Sequence, residues 1–289
     1  MTELKPFTHN IEDYPDGIVL VVDKPYRWTS ADVVRKVKWL ACRHFGKKNL
    51  KVGHAGTLDP LATGVLMVCI GNATKRAEAL QARDKEYIAG ISFGATTPSY
   101  DLEKAPDCRF STDAVNEASL RKVLKSFLGE QEQIAPLFSA KSIDGVRAYE
   151  LARKLYKRQA LTQDQSELIR PARIRIDELE LLSFSESGNM LHAPAFDPDY
   201  SGMTEEEILR AKEKNSRINV VDARSLGLPI AEIRINCTKG TYIRAFARDL
   251  GEALDSGAFL SYLIRTRSGD HSLTDALSIH QVRQLFHIC

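Results

Sequence analysis

A chain of 289 residues can bury a sizeable core, as one large domain or two smaller ones. Its 43% hydrophobic and 27% charged residues are those of an ordinary soluble globular protein, and no run approaches the roughly 20 apolar residues that span a bilayer. The net charge of +2 is too small to announce a nucleic-acid partner, and five scattered cysteines with no Cys-x-x-Cys pair argue against a disulfide framework and a zinc site.

Residues 1–16 are polar, contain Pro6 and Pro15 and have no apolar signal core, so they read as a loose, flexible arm on a protein of the reducing cytoplasm. Gly17-Ile18-Val19-Leu20-Val21-Val22 is a short β-branched run, a buried strand that ends at Asp23-Lys24-Pro25. Thr29 or Ser30 can cap the helix that follows, with Asp32 in its first turn. Val33, Val34, Val37, Leu40 and Ala41 form its apolar stripe, and Gly46 can end it. Residues 65–70 read as a core strand, 74–83 as a helix and 85–93 as an alternating strand. A loop over 94–111 leads to an amphipathic helix at 114–128, closed by Gly129. A turn at Asp144-Gly145 precedes a basic helix over 147–158.

A strand starts at Arg173 and runs towards Phe184. Residues 186–225 differ in character: Gly188, Pro194, Pro198, Gly202 and a charged helical segment at 204–214 read as a surface insertion. A strand at 230–237, a helix to about 254, a strand at 261–268 and a short helix at 279–286 complete the chain. Strands and helices are interspersed without regular βαβ repetition. The expectation is an α+β fold, a mixed, largely antiparallel central sheet flanked by helices, forming one domain over 17–289.

Between the first helix and the core strand lies Lys51-Val52-Gly53-His54-Ala55-Gly56-Thr57-Leu58-Asp59-Pro60-Leu61-Ala62-Thr63-Gly64. Its three glycines can take positive φ or let the backbone approach a ligand, and Pro60 biases Asp59 towards an extended conformation. The picture is a loop holding one carboxylate at the mouth of a buried strand. On residue types alone an Asp-Pro pair in such a loop is an ordinary turn. Charge is concentrated around it: residues 18–90 hold 13 Lys and Arg against 6 Asp and Glu. That local excess suits a phosphate-backbone partner.

The string Gly-His-Ala-Gly-Thr-Leu-Asp-Pro-Leu-Ala-Thr-Gly at 53–64 resembles the signature of the TruB family of pseudouridine synthases, which isomerise uridine 55 in the T loop of tRNA. Four further segments resemble the family in the right order. Asp23-Lys24-Pro25 is similar to its N-terminal Lys-Pro motif, and Lys85-Glu86-Tyr87 to the segment with its active-site tyrosine. Residues 136–153 resemble its RNA-gripping thumb, an insertion in the pseudouridine synthase fold, and Lys239-Gly240-Thr241-Tyr242-Ile243-Arg244 matches a second hallmark motif.

The resemblance implies residue roles. Asp59 is the nucleophile, attacking either the sugar or the base. Arg244 is the cation that keeps it ionised, with a planar guanidinium suited to a carboxylate. Tyr87 stacks on the uracil or relays a proton, and Tyr242 and Leu263 line the base pocket, although a core role competes for all three. The target base must be flipped out of its stack, and His54 fills the space it leaves. Lys24, Lys141 and Arg265 are phosphate or active-site contacts. No partner His or Cys sits at ligand spacing to His54, so no metal role is expected, and an isomerisation without net redox change needs no cofactor.

Three departures from the family stand out. Thr97-Pro98-Ser99-Tyr100-Asp101 replaces the usual Thr-Asp-Thr-x-x-Asp, so Pro98 stands where the first Asp is expected while Asp101 is kept. The insertion at 186–225 is long, and no room is seen for the small C-terminal PUA domain of many members. The expected protein is a monomeric, stand-alone enzyme acting on the T-arm stem-loop of tRNA. Its rivals are a guide-RNA-dependent synthase of ribosomal RNA and a non-catalytic RNA-binding or tRNA-folding protein.

Overall fold

The computed structural model describes residues 5–139, 141–143, 145–157, 169–188, 204–215, 218–223 and 226–287. Its elements are, in order, β1 (Ile18–Lys24), α1 (Ser30–His44), β2 (Val52–His54), β3 (Ala62–Ile70), α2 (Ala77–Ala82), β4 (Lys85–Phe93), β5 (Ala95–Thr96), β6 (Cys108–Arg109), α3 (Glu117–Leu124) and β7 (Gly129–Gln133). There follow β8 (Ser142–Ile143), β9 (Val146–Arg147), α4 (Ala148–Lys157), β10 (Ala172–Ser185), α5 (Glu205–Asn215), β11 (Ile230–Cys237), α6 (Ile243–Glu252), β12 (Ala258–Ser268), β13 (His271–Ser272) and α7 (Ile279–Leu285). The chain divides into two compact units, one of residues 1–86, 194–218 and 264–289, the other of 87–193 and 219–263.

The first unit is built on β3. Its near-continuous apolar run reads as a strand buried on both faces, and all but one of its residues are buried. It starts at Ala62 rather than Val65, so the end of the Gly-rich motif is already strand. β1 pairs with it antiparallel from Ile18↔Ile70 to Lys24↔Gly64, and β2 joins it through His54↔Val68. α1 packs on β2 and β3. Thr29 is its cap: the hydroxyl accepts from the Asp32 amide at 3.1 Å, and the Asp32 carboxylate accepts from the Thr29 amide at 2.9 Å. Val33, Val37, Leu40 and Ala41 form the buried stripe.

From Phe7 onward the stretch expected to be loose is pinned. The Phe7 amide donates to the Leu285 carbonyl at 3.0 Å, its ring packs on Tyr14 and Phe286, and Ile11 is buried. Three apolar side chains in a polar segment find a surface to cover, which a reading by average polarity misses.

In the second unit the strand order is β12-β4-β11-β10-β7. β10 pairs antiparallel with β11 on one side and with β7 on the other. A Cβ on Gly90 would run into the Tyr262 ring, so glycine is what lets that aromatic lie flat on β4. The Tyr262 hydroxyl donates to Glu232 at 2.6 Å, and the Ser183 hydroxyl reaches its other oxygen at 2.6 Å. A fully buried carboxylate thus stands on two hydroxyls. The hairpin β8–β9 and α4 occupy the expected thumb region, where Ala135, Leu137, Phe138, Ala148, Ala152 and Ile169 form a small core of their own.

The expected helix over 74–83 is realised as a 3-10 turn followed by the short α2, and the helix at 114–128 begins only after the Asn116 cap. The charged helix of the insertion forms as α5, while residues 189–203, 216–217 and 224–225 of that insertion lie outside the described residues, as do Asp144 and residue 158. Among the described residues no helix is long and apolar enough to cross a membrane.

Candidate active site

Asp59 sits in a loop whose two flanks are fixed by different elements of the first unit. On one side the Ser30 hydroxyl, at the start of α1, accepts from the Leu58 amide at 2.9 Å and donates to the Leu58 carbonyl at 3.0 Å. On the other side the Pro60 carbonyl accepts from the Arg27 amide at 2.9 Å. The Ala62 amide donates back to the Asp59 carbonyl at 3.1 Å, closing the turn into β3. The carboxylate itself is half-buried. Gly56 and Gly64 take positive φ, of 100° and 98°, whereas Gly53 is an ordinary strand residue with open space around it.

Beneath this loop lie two cations that the sequence reading offers as phosphate or active-site contacts. Neither is placed to meet phosphate. Lys24 is fully buried, and its ammonium donates to the carbonyls of Pro25 at 3.0 Å, Trp28 at 2.6 Å and Pro60 at 3.3 Å. Three hydrogens meet three carbonyls. Burial pushes the Lys24 pKa down to about 7; the nearby Asp59 carboxylate pulls against this shift, and Arg265 adds to it. Arg265, only 1% exposed, donates to Val65 at 2.7 Å, Gly56 at 3.1 Å and Thr57 at 3.4 Å. Its planar fork laces β12 to the loop, so both cations hold the backbone on which Asp59 stands.

His54 lies on β2, next to that loop. Its Nδ1 is buried and meets no hydrogen-bond partner among the described residues. Burial and then the positive charge of Arg265 lower its pKa, so the ring is a neutral imidazole at pH 7. The structure therefore brings Asp59, Lys24, Arg265 and His54 together in one unit.

The second unit gathers the rest. Arg244, in the first turn of α6, is buried, not the surface charge its helix-start position would suggest by default. It donates to the carbonyls of Ser99 at 3.0 Å and Phe138 at 2.9 Å, and its Nε lies 3.6 Å from the Asp101 carboxylate. Asp101, the acid retained after Pro98, is itself held by the Ser99 hydroxyl at 2.6 Å and the Glu103 amide at 3.0 Å. Tyr242 caps α6 and packs against the thumb-region core. Tyr87 on β4 and Leu263 on β12 are buried. Lys141, half-exposed, stands at the base of the β8–β9 hairpin, where its carbonyl accepts from Ala148 at 2.8 Å.

Two side chains that position this machinery are absent from the sequence reading as site residues, Ser30 and Gln133. Gln133 is buried and pairs with the Tyr242 backbone at both ends of its amide. Ser30 carried a signal as a possible helix cap; Gln133 carried none, because a glutamine at a strand end is an ordinary surface residue.

Residues 43–194 match the family model described as TruB family pseudouridylate synthase, N-terminal domain. The chain is 43% identical over 267 residues to tRNA pseudouridine synthase B of Phocaeicola vulgatus, covering 92% of each. It is 44% identical over 265 residues to the protein of that name from Bacteroides fragilis, again covering 92% of each. Among solved structures, it is similar to a chain of a Cbf5-Nop10-Gar1 complex at a TM-score of 0.56 and 24% identity, with 93% of this chain and 54% of that one covered. The chain spans about half of that longer protein, and the likeness is one of fold.

Proposed function

The chain belongs to the TruB family of pseudouridylate synthases, and we propose that it isomerises uridine 55 in the T loop of tRNA, with Asp59 as the nucleophile. The reaction breaks the bond from the ribose to N1 of the base and makes one to C5. The C5 proton leaves, and N1 gains one, so no electron is gained or lost and no cofactor is required. The chain acts on the T arm as a cytoplasmic monomer.

In this reading Asp59 forms a transient bond with the sugar or with the base and must be ionised to do so. Arg244 supplies the guanidinium that favours its charged form. Tyr87 stacks on the uracil or relays its proton, with Tyr242 and Leu263 beside it. The neutral ring of His54 takes the place of the flipped base, where stacking costs no desolvation of charge. Lys24 and Arg265 act on the backbone of the Asp59 loop, and Lys141 at the thumb meets RNA.

The observation that carries the proposal is the loop itself. Six hydrogen bonds from Ser30, Arg27, Lys24 and Arg265 fix the backbone on both sides of one half-buried carboxylate. A structural turn needs no such scaffold; a nucleophile does. The test is pseudouridine formation in a synthetic T-arm stem-loop, comparing the intact chain with Asp59→Asn. Product with the intact chain and none with the variant, at equal RNA affinity, is expected. Tight binding without product from the intact chain would sink the proposal and favour a guide-dependent or purely binding role.

A further inference from the structure

The outer face of α1 carries a feature that the reaction does not use. Trp39 is 48% exposed, the largest apolar side chain of the helix turned to solvent while Val33, Val37 and Leu40 are buried. It is flanked along the helix by Lys36, whose Nζ lies 5.4 Å from the ring centroid, and by Arg43, whose guanidinium carbon lies 5.4 Å from it. The spacing i−3 and i+4 places all three on one stripe. Residues 30–51 hold seven Lys and Arg and one carboxylate, Asp32, which is buried in the helix cap. Arg35 pairs with Asp32 and Lys47 with Glu12, so the cationic character of the surface rests on the other five, with the aromatic plane of Trp39 among them.

We propose that the Lys36–Trp39–Arg43 stripe is a second contact for tRNA, outside the nucleotides that enter the Asp59 loop. This rests on the reading of the chain as a tRNA-modifying enzyme. Charge complementarity selects the occupant: a polyanion gains from counterion release at a basic stripe, and an aromatic between cations offers a stacking plane for a base or ribose with phosphate partners on either side. The cation–π contacts restrain the ring, and a base that stacks on it displaces one cation, which can then meet phosphate. A protein partner fits less well, since it would bury lysines of the kind that interface cores lack. Reach is adequate. Ser30 holds the Asp59 loop, and Trp39 lies nine residues further along α1, roughly 14 Å at 1.5 Å per residue.

The test measures dissociation constants for full-length tRNA over a range of salt, and single-turnover rates at saturating tRNA, for the intact chain, Trp39→Ala, Trp39→Phe and the double variant Lys36→Gln/Arg43→Gln. Trp39→Ala is expected to weaken tRNA binding about tenfold, with the saturated rate and melting temperature unchanged and with Trp39→Phe restoring most of the affinity. The double variant is expected to make the log–log salt dependence shallower by about two. Unchanged affinity and salt slope in all variants, with the intact chain active on tRNA, would overturn the inference alone. A change in self-association in place of tRNA affinity would overturn it in favour of a protein contact. An intact chain that makes no pseudouridine fails the functional reading instead.

Discussion

Gln133 and Tyr242 are joined like two residues of a sheet, although only one of them uses its backbone. The Gln133 Oε1 accepts from the Tyr242 amide at 2.8 Å, and its Nε2 donates to the Tyr242 carbonyl at 3.2 Å. Because Arg244 follows two residues later, the end of β7 sets the start of α6.

Gln133→Leu is therefore expected to cost the Tyr242 amide its Gln133 acceptor, while the Tyr242 carbonyl keeps the Phe246 amide as donor, and to destabilise the second unit by about 1 kcal/mol. Gln133→Glu keeps the acceptor but sets a carboxylate against the Tyr242 carbonyl, and should be worse at pH 8 than at pH 5, where a protonated acid can again donate. Urea denaturation at the two pH values checks this; equal stability of the Glu variant at both would refute the pairing.

Lys24→Met should show a pH-dependent cost. The folded pKa of Lys24, about 7, lies below its ordinary value of 10.5. Its contribution to stability is therefore full above pH 10.5 and is lost as pH falls towards 7, where the buried amine must carry a charge. The destabilisation caused by Lys24→Met is expected to grow between pH 7 and pH 10 by on the order of a few kcal/mol. A constant difference across that window would mean that the lysine is not desolvated as its burial implies.

Gly64→Ala should disrupt the first unit more than a typical surface change. The residue has φ of 98°, and an added Cβ would meet the Arg265 carbonyl oxygen, a backbone atom that cannot swing aside. A loss of about 2 kcal/mol or more is expected, with activity falling through the Asp59 loop. Thermal melting alongside single-turnover kinetics separates the two effects.

Asp101→Ala removes one partner of a buried ion pair and takes a carboxylate away from the buried Arg244 guanidinium. The expected loss is about 3 kcal/mol, much larger than for the exposed pair of Arg121 and Glu117, whose loss should be barely measurable. Denaturant midpoints of Asp101→Ala and Glu117→Ala give the comparison. Similar small losses in both would show that Asp101 is not a structural partner of Arg244.

Much of this was legible in the chain because local rules act locally. The apolar run at 65–70, the Thr29–Asp32 cap and the alternation at 230–237 each declare their element through period or chemistry, and the Asp59 motif is specific enough to name a family. What was not legible is where charge goes. Lys24 and Arg265 read as phosphate or active-site contacts and Arg244 as the cation beside Asp59, and nothing local in the sequence says that all three are buried, since lysine and arginine are mostly exposed. Arg244 and Arg265 are held by carbonyls from distant segments, and Lys24 by Pro60 as well as by its neighbours Pro25 and Trp28, an arrangement that no local pattern displays. The same holds for Phe7, whose amide and ring meet Leu285 and Phe286 in a distant segment.

Arg265 also carries a consequence for how the protein is made. Its guanidinium reaches Gly56 across 209 residues of sequence. During synthesis the Gly-rich motif leaves the ribosome well before its holder is added. A nascent chain stalled after residue 64 and short of residue 265 thus contains the whole nucleophile loop and lacks the clamp that shapes it. The loop is therefore translated well before the strand that clamps it, and its final shape waits on a contact formed across 209 residues.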